Sequence, residues 1–142
     1  TVALSDAVQW SVENVDLTNT LIVVTADHSH TMTISGYPRR GNPILGTVEF
    51  EPGEPLLDAT GAPYTTLSYA NGPGYKKQRP NLSEINTQDP DYQQLGTVPT
   101  QAETHAGEDV AAFAVGQNAD AVRGVMEQNR LYNVMYEVLI AH

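Results

Sequence analysis

In the first fifteen residues Leu4, Ala7, Val8, Val12 and Val15 follow the i, i+3, i+4, i+8, i+11 spacing of one helix face. The pattern predicts a helix that ends before the polar turn Asp16 to Thr20. It is already running at residue 1, with no initiator Met and no signal-peptide pattern before it, so the chain is expected to be a piece of something longer. Leu21-Ile22-Val23-Val24-Thr25 then forms a continuous apolar and β-branched run. Without polar alternation it predicts a strand buried on both faces, as in a parallel sheet covered by helices. Helix, short turn and buried strand make half of an α/β unit. Near the other end, Val110 to Val115 is a second short apolar run closed by Gly116. Leu131, Val134, Met135, Val138 and Leu139 repeat at i, i+3, i+4, i+7, i+8 and predict a final amphipathic helix.

The middle, residues 35–100, is punctuated differently. All nine prolines and eight of the eleven glycines fall there, which argues against regular core elements. Five of the seven tyrosines lie there too, with β-like stretches at Gly46 to Phe50 and Tyr64 to Tyr69 and a turn signal at Asn71-Gly72-Pro73-Gly74. The tyrosines, with Ile44, Leu45, Leu56, Leu57 and Leu67, call for burial and argue against a disordered linker. The expected organisation is therefore core helix and strand over 1–34, a loop-rich insertion over 35–100, and a further core strand and helix over 101–142.

The 142 residues carry 17 Asp and Glu against 7 Lys and Arg, a formal net charge of -10. That sign disfavours binding to a phosphate backbone, so no nucleic-acid partner is expected. No apolar run approaches the roughly 20 residues of a membrane-spanning helix, and none is expected. Without cysteine, any transition metal must be held by histidine and carboxylate.

Two clusters could supply such ligands. Asp27-His28-Ser29-His30 follows the apolar strand directly, so its side chains emerge at the strand's carboxyl end, where open α/β sheets bind ligands. Adjacent strand residues point to opposite faces, so Asp27 and His28 can share an ion only if the strand has already ended. A helix N-cap or turn with satisfied imidazoles accounts for the tetrapeptide equally well. The second cluster is Glu103-Thr104-His105-Ala106-Gly107-Glu108-Asp109. Here Gly107 would allow close approach of His105 to a metal, and Glu108 or Asp109 could orient an imidazole. On spacing alone, a solvated acidic loop is the better reading. The fourth histidine, His142, stands at the last position.

Taken together, these stretches resemble alkaline phosphatases. The resemblance is carried by TADHSH at Thr25 to His30, GYPRRGNPILG at Gly36 to Gly46, YANGPGY at Tyr69 to Tyr75, ETHAGEDVAAFAVG at Glu103 to Gly116 and GVMEQNRLYNVM at Gly124 to Met135. It runs through nearly the whole chain in the same order. It implies the C-terminal part of an α/β sheet flanked by helices, interrupted by a crown-like insertion over 35–100. The activity implied is hydrolysis of phosphate monoesters through a phosphoserine intermediate at a two-zinc site with an accompanying magnesium ion. Asp27 and His28 are then implied ligands of one zinc and His105 of the other. His30, Glu108 and Asp109 would instead pack against or hydrogen-bond those ligands.

The resemblance also implies that the serine nucleophile, the phosphate-clamping arginine, the magnesium ligands and two further zinc ligands belong to segments N-terminal to this chain. Ser5, Ser29 and Ser35 do not sit in the family's serine motif, so this segment alone is expected to be inactive. Its partners would be phosphate monoesters, the N-terminal remainder of the same protein and a second copy in a homodimer, in a periplasmic or secreted location. Arg39, Arg40, Lys76, Lys77 and Arg79 fall in the insertion and could steer anionic esters, although ordinary solvated loop charge is the better reading. Gln117 follows Gly116 where relatives usually show proline. The alternatives are a related metal-dependent phosphodiesterase or sulfate or phosphonate hydrolase, or a noncatalytic fragment held to the rest of its enzyme.

Overall fold

A computed structural model describes residues 2–140. Thr1 and His142 lie outside the described residues. Among the described residues the fold is mixed α/β, with two α-helices and small sheets. It divides into two compact units, one holding the residues up to Asp27 with those from Asp109 onward, the other His28–Glu108.

The first unit contains α1 (Val2–Asn14), β1 (Leu21–Val24), the strand Phe113–Gly116 and the helix Arg130–Ile140. After α1 the Asp16 carboxylate accepts hydrogen bonds from the backbone amide and hydroxyl of Thr18, which closes the predicted polar turn and holds the Asp16 carboxyl below its ordinary pKa. β1 departs from the expectation of a strand buried within a parallel sheet. It pairs antiparallel with Phe113–Gly116, in the register Leu21 to Gly116 through Val24 to Phe113, and all four of its residues are half-buried. A continuous apolar run reports the burial a strand can tolerate and carries no information on the direction of its neighbour. The regular strand in the second apolar run also starts later than its apolar character, at Phe113, and includes Gly116. Gly116 is required there, because its φ is +98° and a Cβ would lie 2.1 Å from the Thr20 carbonyl oxygen.

The C-terminal helix forms as predicted, but its buried face is narrower than the apolar pattern. Val134 and Val138 are buried, whereas Met135 and Leu139, one position or about 100° further round, are exposed. Along α1, Leu4, Ala7, Val8 and Ser11 line an open groove of about 300 Å³ with Ile22 to Thr25, and no α1 residue is buried. Phe113 is 67% exposed and Val125 90%. Such open apolar surface attracts further chain. The isolated 142-residue chain is therefore expected to bind a hydrophobic dye and to elute larger than a 15.4 kDa monomer on size exclusion. A dye-silent monomer would contradict this.

The second unit is built around β5 (Leu67–Gly72), the centre of a three-stranded sheet. β2 (Met32–Ile34) runs antiparallel on one side of β5 and β6 (Gly96–Pro99) parallel on the other. β3 (Glu49–Glu51) and β4 (Glu54–Pro55) form a separate hairpin, and β7 is the Phe113–Gly116 strand of the first unit, with α2 its Arg130–Ile140 helix. The two β-like stretches of the sequence meet, as Val48 N–H donates to the Tyr64 carbonyl and Thr47 bridges Thr65, although their regular strands begin later than expected. Val48, Ala62, Leu67 and Leu82 form the apolar core of this unit, supplemented by buried Thr65, Thr66 and Thr87.

This topology places the histidine segments. The register sets Met32 against Tyr69 and Ile34 against Leu67, so β2 pairs with the amino half of β5, and the preceding segment His28 to Thr31 reaches the carboxyl half, where Ala70 N–H donates to the Thr31 carbonyl. β6 ends beside Gly72 and leads out toward His105. Both segments therefore arrive at the carboxyl end of β5.

Candidate metal centre

Three imidazoles gather where these segments meet. The ring centroids of His28 and His105 stack at 4.0 Å, and His30 lies 5.1 Å from each. One nitrogen from each ring can be chosen so that all three lie within 4.8 Å of one another. His28 is half-buried, and His30 and His105 are exposed. β1 ends at Val24, so the strand has finished before Asp27 and His28, as joint coordination by that pair demands. Asp27 is exposed and ends the first segment of the other compact unit.

The backbone holds the two loops together. Ser29 and Ala106 form an antiparallel bridge in which Ala106 N–H donates to the Ser29 carbonyl at 2.9 Å. The same carbonyl lies 3.0 Å from His28 Nδ1. A carbonyl can only accept, so Nδ1 is the donor in this contact. The Ser29 hydroxyl donates to Glu108 at 2.5 Å and holds the Glu108 carboxyl below its ordinary pKa. Glu108 thus ties the loops through a serine instead of through an imidazole, and Asp109 begins the segment assigned to the other unit. Gly107 was expected to matter through its missing side chain. Its φ is not positive and a Cβ there would meet nothing within 4 Å, so neither reason for glycine applies.

Three features carried no recognised signal in the sequence. Thr31 has φ +61° and is 6% exposed, a left-handed conformation that a β-branched residue adopts only when its surroundings enforce it. Its carbonyl accepts from Ala70 N–H at 3.0 Å, which fixes the exit from His30 onto β5. Asn71, whose Asn-Gly pair suggests a turn, belongs to β5 and bonds Thr104, the residue before His105. Two of the five basic residues of the middle segment are occupied locally, Arg39 with Glu49 at 3.4 Å and Arg79 with Asp58.

The donor set suits zinc. Imidazole nitrogens favour it, and ligand nitrogens about 2.0–2.1 Å from a tetrahedral ion are roughly 3.3 Å apart. The ring nitrogens lie within 4.8 Å of one another, and the rings of His30 and His105 are exposed.

A family sequence model described as alkaline phosphatase matches residues 1–141. Alkaline phosphatase 4 of Drosophila melanogaster is 44% identical over 146 aligned residues, covering 91% of this chain and 24% of that protein. The tissue-nonspecific isozyme of alkaline phosphatase from Gallus gallus is 45% identical, covering 82% of this chain and 22% of its own length. Alkaline phosphatase of Gadus morhua is likewise 45% identical over 82% of this chain and 24% of its own. The chain thus spans about a quarter of the length of these relatives.

Proposed function

The chain belongs to the alkaline phosphatase family, and from that premise we propose that it is the part of a metal-dependent phosphomonoesterase that supplies Asp27, His28 and His105 to a zinc centre. The observation that carries this reading is the convergence of two segments, 77 residues apart at His28 and His105, on one end of β5 with their imidazoles stacked. Zinc held by such groups supplies a Lewis acid that neutralises phosphoryl oxygen charge.

The chain's own residues prepare that site. The Ser29 carbonyl accepts from His28 Nδ1 and so orients that ring beside His105. The Ala106 to Ser29 bridge and the Ser29 to Glu108 bond hold the His105 loop against the His28 loop, limiting the ordering needed when an ion is bound. In this proposal zinc is divided as in the family, with Asp27 and His28 toward one ion and His105 toward a second. His30 packs beside them without ligating, and magnesium and the serine nucleophile belong to the rest of the protein. Residues 35–100 form the crown-like insertion. The working form is a homodimer in a periplasmic or secreted location; no described helix is long and apolar enough to cross a membrane. Cut off from the nucleophile, the isolated chain hydrolyses nothing.

The test uses the full-length protein containing this chain. Elemental analysis is expected to find zinc and magnesium, and p-nitrophenyl phosphate is expected to turn over much faster than bis(p-nitrophenyl) phosphate. A preference for the diester, or full monoester turnover by the metal-stripped protein, would overturn the proposal.

A further inference from the structure

We propose that Asn71 is a positioning residue for the histidine cluster, its amide holding Thr104, the residue before His105, and facing Thr31, the residue after His30. The inference rests on the zinc reading above and adds to it a side chain outside both histidine motifs.

The geometry is two-sided. Asn71 Nδ2 donates to Thr104 Oγ1 at 2.9 Å, and Thr104 N–H donates back to Asn71 Oδ1 at 2.9 Å. One planar amide thus fixes both the backbone and the side chain of the residue that leads into His105. The hydroxyl of Thr31 donates to the same Oδ1 at 3.5 Å, the outer limit of a hydrogen bond. Asn71 itself is placed by the sheet, since it pairs with Val98 of β6, and Ala70 N–H beside it donates to the Thr31 carbonyl.

The neighbouring glycine completes the support. Gly72 has φ +142°, and a Cβ there would lie 3.1 Å from Glu103 Oε1, so the side chain of Glu103 lies over Gly72 while Thr104 lies on Asn71. The approach to His105 is therefore laid down on the last two residues of β5. His105 is itself exposed, and exposed loop histidines lose entropy when an ion fixes them. A clamp on the preceding residue removes part of that loss before the ion arrives. Residues that orient metal ligands from behind are typically worth about 10- to 100-fold in metal affinity.

The experiment measures zinc affinity of the full-length protein by competition with a chromophoric chelator, the cobalt(II) absorption spectrum, and thermal unfolding of the metal-free form. Asn71→Ala and Thr104→Val are each expected to weaken zinc binding about tenfold and to shift the cobalt spectrum, with metal-free melting close to wild type. Thr104→Ser, which keeps the hydroxyl acceptor, is expected to bind as wild type. The double variant should be little worse than Asn71→Ala alone, because the side-chain bond that Thr104→Val removes is already lost there. Wild-type affinity in Asn71→Ala alongside weakened affinity in His105→Ala overturns the inference and leaves the zinc reading standing. Wild-type affinity in His105→Ala overturns the zinc reading and the inference with it. If Asn71→Ala and Thr104→Val lose metal-free stability in proportion to affinity, Asn71 is a general stabiliser and the inference fails.

Discussion

In the full-length protein, His105→Ala is expected to lower zinc affinity by more than about 100-fold, beyond the loss from removing a ligand's supporting partner, and to lower phosphate monoester turnover by about 10³-fold. Its stability effect should be small by comparison. His105 is exposed, and its loop is held by backbone and neighbouring side chains: Thr104 by Asn71, and Ala106 by the Ser29 carbonyl. None of these bonds uses the imidazole, so removing the ring deletes a donor and leaves its frame. Exposed substitutions of this kind usually stay within about 0.5 kcal/mol. The result would be a folded protein with the wild-type metal-free melting curve, reduced zinc content and almost no turnover. Wild-type zinc content with full turnover would contradict both the proposed ligand role and the functional reading.

His30→Ala gives the comparison that separates two uses of the same cluster. The family resemblance divides His28 and His105 between two ions and leaves His30 beside them, whereas the rings alone are close enough for one ion to take all three. In the first arrangement His30→Ala costs about tenfold in affinity, as for a supporting partner. In the second it costs as much as His105→Ala, and bound zinc falls by the same amount in both variants.

Much of this was legible in the sequence, and what was missed has physical reasons. The stripe Leu131, Val134, Val138 and the run Leu21 to Val24 read correctly as helix and strand because periodicity follows directly from burial. Both histidine motifs stood out because His and carboxylate are the only donors a cysteine-free chain can offer a transition metal. The antiparallel direction of β7 was hidden, since apolar runs look alike whichever way the neighbour points. The role of Asn71 was hidden by local chemistry: Asn-Gly is a strong turn signal, and only the pairing of β5 with both β2 and β6 converts it into the meeting point of two distant loops. Thr31 gave no warning, because a β-branched residue is among the least expected at positive φ and only tertiary contacts put it there.

Gly74→Ala is expected to cause the largest loss of stability in the His28–Glu108 unit, about 3 kcal/mol, and to weaken the metal centre from a distance. A Cβ on Gly74 would lie 1.9 Å from the Gln94 carbonyl oxygen and 2.9 Å from its carbon. The obstacle is backbone, so no rotamer change relieves it. Nor can the Gln93 to Leu95 segment move aside without breaking bonds: the Leu95 carbonyl accepts from Tyr69 N–H at 2.9 Å, and Gln94 Nε2 donates to the Thr87 carbonyl at 3.1 Å. β6 starts at Gly96, so displacement there disturbs the ladder that sets Val98 opposite Asn71 and Pro99 opposite Gly72. The strain thus runs from the turn through β6 to the clamp on Thr104. Gly107→Ala is the matched control, because its Cβ would meet nothing within 4 Å although it lies two residues from His105. Thermal unfolding of both variants in the full-length protein, with zinc affinity measured alongside, checks the prediction. Gly107→Ala should melt with the wild type, and Gly74→Ala should melt several degrees lower and bind zinc more weakly. Equal melting temperatures for the two variants would show that the close approach of Gly74 to Gln94 does not hold β6 in place.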